Sequence, residues 1–167
     1  MICCVTGNRP QKFPFEYSQS CEQFQSYILK LTQTVNDYVA NGFDHFIVGM
    51  ALGVDLDFAE AVIKAKQNFL NKIVLEAAIP CCTQTKFWSD EEKSRYNMIL
   101  THCDIVNVIS ETYTRWCMSK RNKYMVDKAD HVIAVWNGQQ KGGTWNTIKY
   151  VEKCNKPLEY IMLTSID

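Results

Sequence analysis

Short apolar runs and segments of helical period alternate along the whole chain, and few folds accommodate such an order. The apolar runs fall at residues 1–6, 43–48, 72–79, 103–109, 131–136 and 158–163. Between them lie helical patterns at residues 19–41, 56–69, 89–101, 115–128 and 144–154. In the first of these, Phe24, Tyr27, Ile28, Leu31, Val35, Tyr38 and Val39 form one stripe, with Gly42 where a C-terminal cap is expected. Ser89 and Glu92 make a capping-box pattern ahead of another. Strands separated by helices of this length pair in parallel, with helices over both faces. With right-handed crossovers, the expected fold is α/β, a Rossmann-like three-layer sandwich with a mainly parallel sheet.

Such sheets bind ligands beyond the carboxyl ends of their strands. Three glycine-bearing turns leave those ends. Thr6-Gly7-Asn8-Arg9-Pro10 offers a hydroxyl, a close backbone approach and a guanidinium that can fork onto a phosphate or carboxylate. Gly49, Ala51, Gly53 and Asp55 mark a strand-to-helix turn whose glycines let the backbone approach a ligand, with helix N–H donors to hold phosphate. It lacks the Lys-Ser/Thr of a P-loop and the three-glycine dinucleotide spacing. A tight turn with Asp55 capping the helix is the alternative. Gly142-Gly143-Thr144 offers a further N–H cradle, or a merely flexible turn. Arg121, Asn122 and Asp127 lie on the preceding helix, where Arg121 and Asp127 do not share a face. Asp55, Asp57, Glu60 and Tyr113 are candidates for ribose hydroxyls or a general base.

The balance of 18 Lys+Arg against 18 Asp+Glu argues against a nucleic-acid coat, which works by releasing phosphate counterions. Small anions remain open, because backbone N–H groups hold them without net charge. A chain of 167 residues fits one domain, expected over residues 1–167. No apolar stretch approaches the roughly 18 residues of a membrane helix, and the first residues do not form a signal peptide, so a cytoplasmic protein is expected. The eight cysteines include no Cys-x-x-Cys and no zinc-finger spacing, which reads as reduced core thiols. His45, His102 and His131 read as structural, and Trp136 as core.

Four features together resemble the SLOG superfamily, the Rossmann-like group that includes DprA/Smf and the Lonely Guy phosphoribohydrolases, and most of all its YpsA-like branch. They are Cys4-Val5-Thr6-Gly7-Asn8-Arg9-Pro10, residues 49–55 running on to Glu60, Arg121-Asn122-x-x-Met125-Val126-Asp127, and residues 132–138 leading to Gly142-Gly143-Thr144. The branch usually has His where Asn8 stands. The resemblance implies a site for a nucleotide or a nucleotide-derived signalling molecule of ADP-ribose type, held for sensing or sequestration. Thr6, Gly7, Asn8, Arg9, Gly49, Ala51, Gly53, Asp55, Arg121, Asn122, Asp127, Gly142, Gly143 and Thr144 would line it. No cofactor and no metal is implied, and a homo-oligomer is one route by which capture could be read out.

Lonely Guy enzymes carry Pro-Gly-Gly-x-Gly-Thr-x-x-Glu at the last turn. Here Lys141 replaces its Pro, Trp145 and Asn146 its Gly-Thr, and Lys149 its Glu. Glycosidic cleavage generally needs a carboxylate near the anomeric carbon, so a hydrolase or transferase is the alternative, with Asp55 or Glu60 substituting. Single-stranded DNA binding, by likeness to DprA, needs a basic groove with stacking aromatics and is disfavoured by the neutral charge.

Overall fold

The computed structural model describes residues 1–70 and 72–164. Strands β1 (Ile2–Gly7), β2 (His45–Val48), β3 (Val74–Ile79), β4 (Ile105–Val108), β5 (His131–Trp136) and β6 (Leu158–Met162) form one sheet in the order β4-β3-β2-β1-β5-β6. Every pairing is parallel. The connecting helices are α1 (Glu22–Ala40), α2 (Val54–Asn68), α3 (Asp90–Thr101), α4 (Cys117–Lys128) and α5 (Gly142–Lys153). This is the expected Rossmann-like α/β layout, with every strand pair parallel.

The alternation of side chains along β1 assigns the layers. Cys3 and Val5 pack with Leu31 and Val35 of α1, Phe58 and Val62 of α2, and Ile99 of α3. Cys4, one residue out of phase, packs on the other face with Met125 and Val126 of α4 and Val151 of α5. Both faces of the central strands are therefore dry, which is why those runs read as continuously apolar. Full burial of a Leu31 or Phe58 side chain contributes about 1.5–3 kcal/mol each.

The stripe on α1 is buried as its spacing predicts, except that Ile28 is half-buried and Thr34 joins the buried face. The helix starts at Glu22, three residues after the expected beginning, and Gly42 follows it at φ +87°. Helix α2 begins two residues earlier than its apolar pattern, at Val54. The capping box on α3 is present in both halves: Glu92 N–H donates to Ser89 Oγ at 3.2 Å and Ser89 N–H to Glu92 Oε2 at 2.8 Å. Strand β4 is shorter than expected and lies at the sheet edge, where Val106 is 52% exposed. No described helix is long and apolar enough to cross a membrane.

The strand order sets the position of the site. The chain steps outward from β1 to β4, then returns to place β5 on the other side of β1. The helices that leave β1 and β5 thus diverge to opposite faces and open a crevice at the carboxyl ends of these two strands.

Candidate functional site

A cleft of ≈ 250 Å³ occupies that crevice. Its wall comes from the turn after β1 (Thr6, Gly7, Asn8, Arg9), its far side from the first turn of α5 (Gly142, Gly143, Thr144), and its floor from Ala51, Asp55, Arg121 and Asn122. The turns after β1 and β5, more than 100 residues apart in the chain, are pinned together by side chains of two of the expected ligand contacts, Asn8 and Thr144. Thr144 Oγ1 donates to the Gly7 carbonyl at 2.8 Å. Asn137 N–H donates to Asn8 Oδ1 at 2.9 Å, and Asn8 N–H to the Val135 carbonyl at 3.2 Å. Asn8 and Thr144 therefore hold the β1 and β5 ends in register.

The floor is a buried ion pair. Arg121 Nη1 donates to Asp55 Oδ2 at 3.3 Å, and Ala51 N–H donates to the same oxygen at 3.1 Å. Among the described residues, Asp55 Oδ1 and Thr6 Oγ1 have no protein partner, and both residues line the cleft. Burial pushes the Asp55 carboxyl above the usual carboxylate range, opposed by the charges of Arg121 and Arg9. Arg121 also donates from Nε to Asn122 Oδ1 at 2.7 Å, and Asn122 Nδ2 donates to Thr147 Oγ1 at 2.8 Å. A chain of hydrogen bonds thus runs from the floor to α5.

The glycines divide into two kinds. A Cβ on Gly49 would meet Arg121 Nη1 at 1.5 Å, so this residue is small because the guanidinium lies against it. Gly53 is the α2 N-cap, at φ +90°, and is packed against the Asn8 carbonyl. Neither Gly49 nor Gly53 lines the cleft. By contrast, a Cβ on Gly142 or Gly143 would meet nothing within 4 Å. Helix α5 has no side-chain cap and no acid in its first turn, which faces the cleft. Its N-terminal N–H groups carry the positive end of the helix dipole.

Other predicted residues lie elsewhere. Asp127 is exposed and accepts from Tyr150 Oη at 2.7 Å. Glu60 binds Arg95 through two bonds of 2.8 and 2.9 Å, on the opposite face of the sheet. Asp57 belongs to the same network, and Tyr113 lines a separate pocket at the β3 and β4 ends. Trp136 is half-buried and stacks on Trp145, with ring centroids at 5.3 Å. His45 pairs with Glu76 at 2.8 Å and His131 with Tyr38, in keeping with structural roles. All eight cysteines are free, and burial pushes the Cys4 thiol up to about 12.

Gln11, Lys12, Met118, Gln139 and Lys141, which are not among the expected site residues, also line the cleft. Lys12 and Lys141 flank glycine turns already singled out, and their charge was the available signal. Asp55 is the one carboxylate among the lining residues. With that acid tied to Arg121, the exposed cations Arg9, Lys12 and Lys141 leave the rim positive within a chain of zero net charge.

A model of the YspA SLOG family matches residues 3–166. The chain belongs to this family. A UPF0398 protein of Bacillus pumilus is 23% identical over 168 residues, covering 99% of this chain and 89% of its own length. The SPbeta prophage-derived protein YoqJ of Bacillus subtilis is 30% identical over 122 residues, covering 65% of this chain and 69% of YoqJ. The family's matched span includes all three turns of the cleft and the α4 residues of its floor.

Proposed function

We propose that the cleft captures the phosphate-bearing end of a nucleotide-derived small molecule, and that the capture serves sensing or sequestration. One observation carries this reading: the uncapped, acid-free first turn of α5 opens onto a cleft with a cationic rim, whose one lining carboxylate, Asp55, is paired with Arg121. Backbone N–H groups at a helix start, joined by Arg9, suit a phosphate. Thr6 Oγ1 and the unpartnered Asp55 Oδ1 suit ribose hydroxyls, which are both donors and acceptors.

Calorimetry against AMP, ADP-ribose, cyclic ADP-ribose and cyclic AMP tests the reading. At least one is expected to bind. Arg9→Gln should then weaken it about ten- to a hundredfold, the worth of one charge-assisted hydrogen bond. No binding by any of the four, with an intact thermal transition, would remove the proposal.

A second reading is hydrolysis at a nucleotide's glycosidic bond. It is favoured by a carboxylate whose affinity for protons is raised, standing at the floor of the cleft. Under it, Asp55→Asn abolishes release of free base while Glu60→Gln, distant from the cleft, leaves the rate unchanged. Chromatography of nucleoside monophosphate digests measures this. Equal rates in wild type and a folded Asp55→Asn variant would reject Asp55 as the acid or base.

A further inference from the structure

Asn122 is one of the expected ligand contacts, yet both ends of its amide are already engaged by the protein. Its Oδ1 accepts from Arg121 Nε at 2.7 Å, and its Nδ2 donates to Thr147 Oγ1 at 2.8 Å. Neighbours on a helix point about 100° apart and do not ordinarily meet. The Arg121 side chain is therefore turned sideways onto the amide of the next residue, while its Nη1 reaches Asp55. Thr147 carries the chain onward. Its hydroxyl donates to the Gly143 carbonyl at 3.0 Å, which leaves its oxygen free to accept from Asn122.

Every bond in this chain runs in one direction. A guanidinium that is 5% exposed stands at the donor end, and the Gly143 carbonyl stands at the acceptor end. Hydrogen bonds in series polarise one another, most of all where water is excluded. The Gly143 carbonyl shares its delocalised peptide unit with the Thr144 N–H. A donor pulling on that oxygen makes the N–H a stronger donor in turn. The Thr144 N–H is among the first N–H groups of α5, which have no intrahelical partner, in the turn that lines the cleft.

We infer that Asn122 and Thr147 are positioning residues. They carry the pull of the buried Arg121 guanidinium to the Gly143–Thr144 peptide and hold that peptide for an incoming phosphate. The role rests on the phosphate reading of the cleft and concerns how the grip is tuned. A positive charge placed behind the cradle strengthens it without adding another cation to the surface.

Thr147 separates this role from direct contact. It is 5% exposed and does not line the cleft, so Thr147→Val removes the hydroxyl link while keeping the shape of the side chain. Calorimetry with AMP as the probe compares wild type, Thr147→Val, Asn122→Ala and the double variant. Each single variant should weaken AMP about three- to tenfold, the worth of one net hydrogen bond. The double variant should lose little more than either single one, because the same chain is broken once. Thr147→Ser, which keeps the hydroxyl, should restore the wild-type affinity. In the ligand-free protein, the Thr144 amide proton resonance should move upfield in Thr147→Val and Asn122→Ala alike. Unchanged AMP affinity in a folded Thr147→Val variant would overturn the assignment. So would losses that multiply in the double variant, or a Thr144 resonance that stays in place. All three results leave the nucleotide reading standing, since wild type binds AMP in each. Wild type that binds no AMP removes the assignment, and the nucleotide reading is then decided by the other three ligands of the panel.

Discussion

Alanine at position 49 is expected to cost about 3–5 kcal/mol of stability, the usual penalty for breaking a buried ion pair. The added Cβ would stand 1.5 Å from Arg121 Nη1, 2.2 Å from its Cζ and 2.7 Å from Asp55 Oδ2. A long side chain ordinarily yields to one methyl group. Here yielding would break its bonds, because Arg121 is 5% exposed and held by both Asp55 and Asn122. For a chain of this size the melting temperature should fall by roughly 2–4 °C per kcal/mol. A double-mutant cycle separates this cause from a general backbone effect. With Arg121→Met already present, Gly49→Ala should cost at least about 1 kcal/mol less than it does alone. Additive losses would mean that the guanidinium is not what the glycine accommodates.

Asp57→Ala is expected to destabilise by a similar amount, about 3–5 kcal/mol, for the same reason in a different place. The Asp57 carboxylate accepts from Tyr17 Oη at 2.5 Å, Tyr27 Oη at 2.9 Å and Arg95 Nη2 at 2.7 Å. Removing it strands two hydroxyl donors, those of Tyr17 and Tyr27, while Arg95 keeps Glu60. The network lies on the opposite face of the sheet from the cleft floor, so the folded fraction should bind nucleotide as wild type does. Chemical denaturation and calorimetry on one preparation test both halves. Lost binding in a folded Asp57→Ala sample would join this network to the site.

These two aspartates are separated by one residue on α2 and read alike in the sequence. Both are acids in a first helical turn after a glycine-bearing strand end. Helix geometry sends them to different faces: Asp55 reaches over the end of the sheet to Arg121, whereas Asp57 turns toward α1 and α3. Glu60 follows Asp57, so the acidic cluster of α2 becomes one cleft residue and two distant ones. Almost all residues in the first turns of α2 are buried, so no polar stripe marks its orientation. Trp136 failed as a core residue for a similar reason. It ends an apolar strand, yet it stands at the rim beside Trp145, where the neighbouring helix has only begun.

The amino-acid sequence determined the order and type of the elements, the parallel sheet, and the strand ends at which a ligand site would form. Those follow from local causes: a period of two or of 3.6, a capping box at Ser89, and apolar strands that must be covered on both faces. The resemblance in the glycine turns also placed the chain in its family. Tertiary structure decided which polar residues share the cleft. Placing β5 next to β1 brings residues 137–144 against residues 6–9 and lays Arg121 on Gly49, contacts that no spacing along the chain encodes. Gly49 and Gly53 thereby became packing residues, while Gly142 and Gly143 kept the open backbone. The physical reason is that a glycine's neighbours, unlike its own conformational freedom, belong to the strand order.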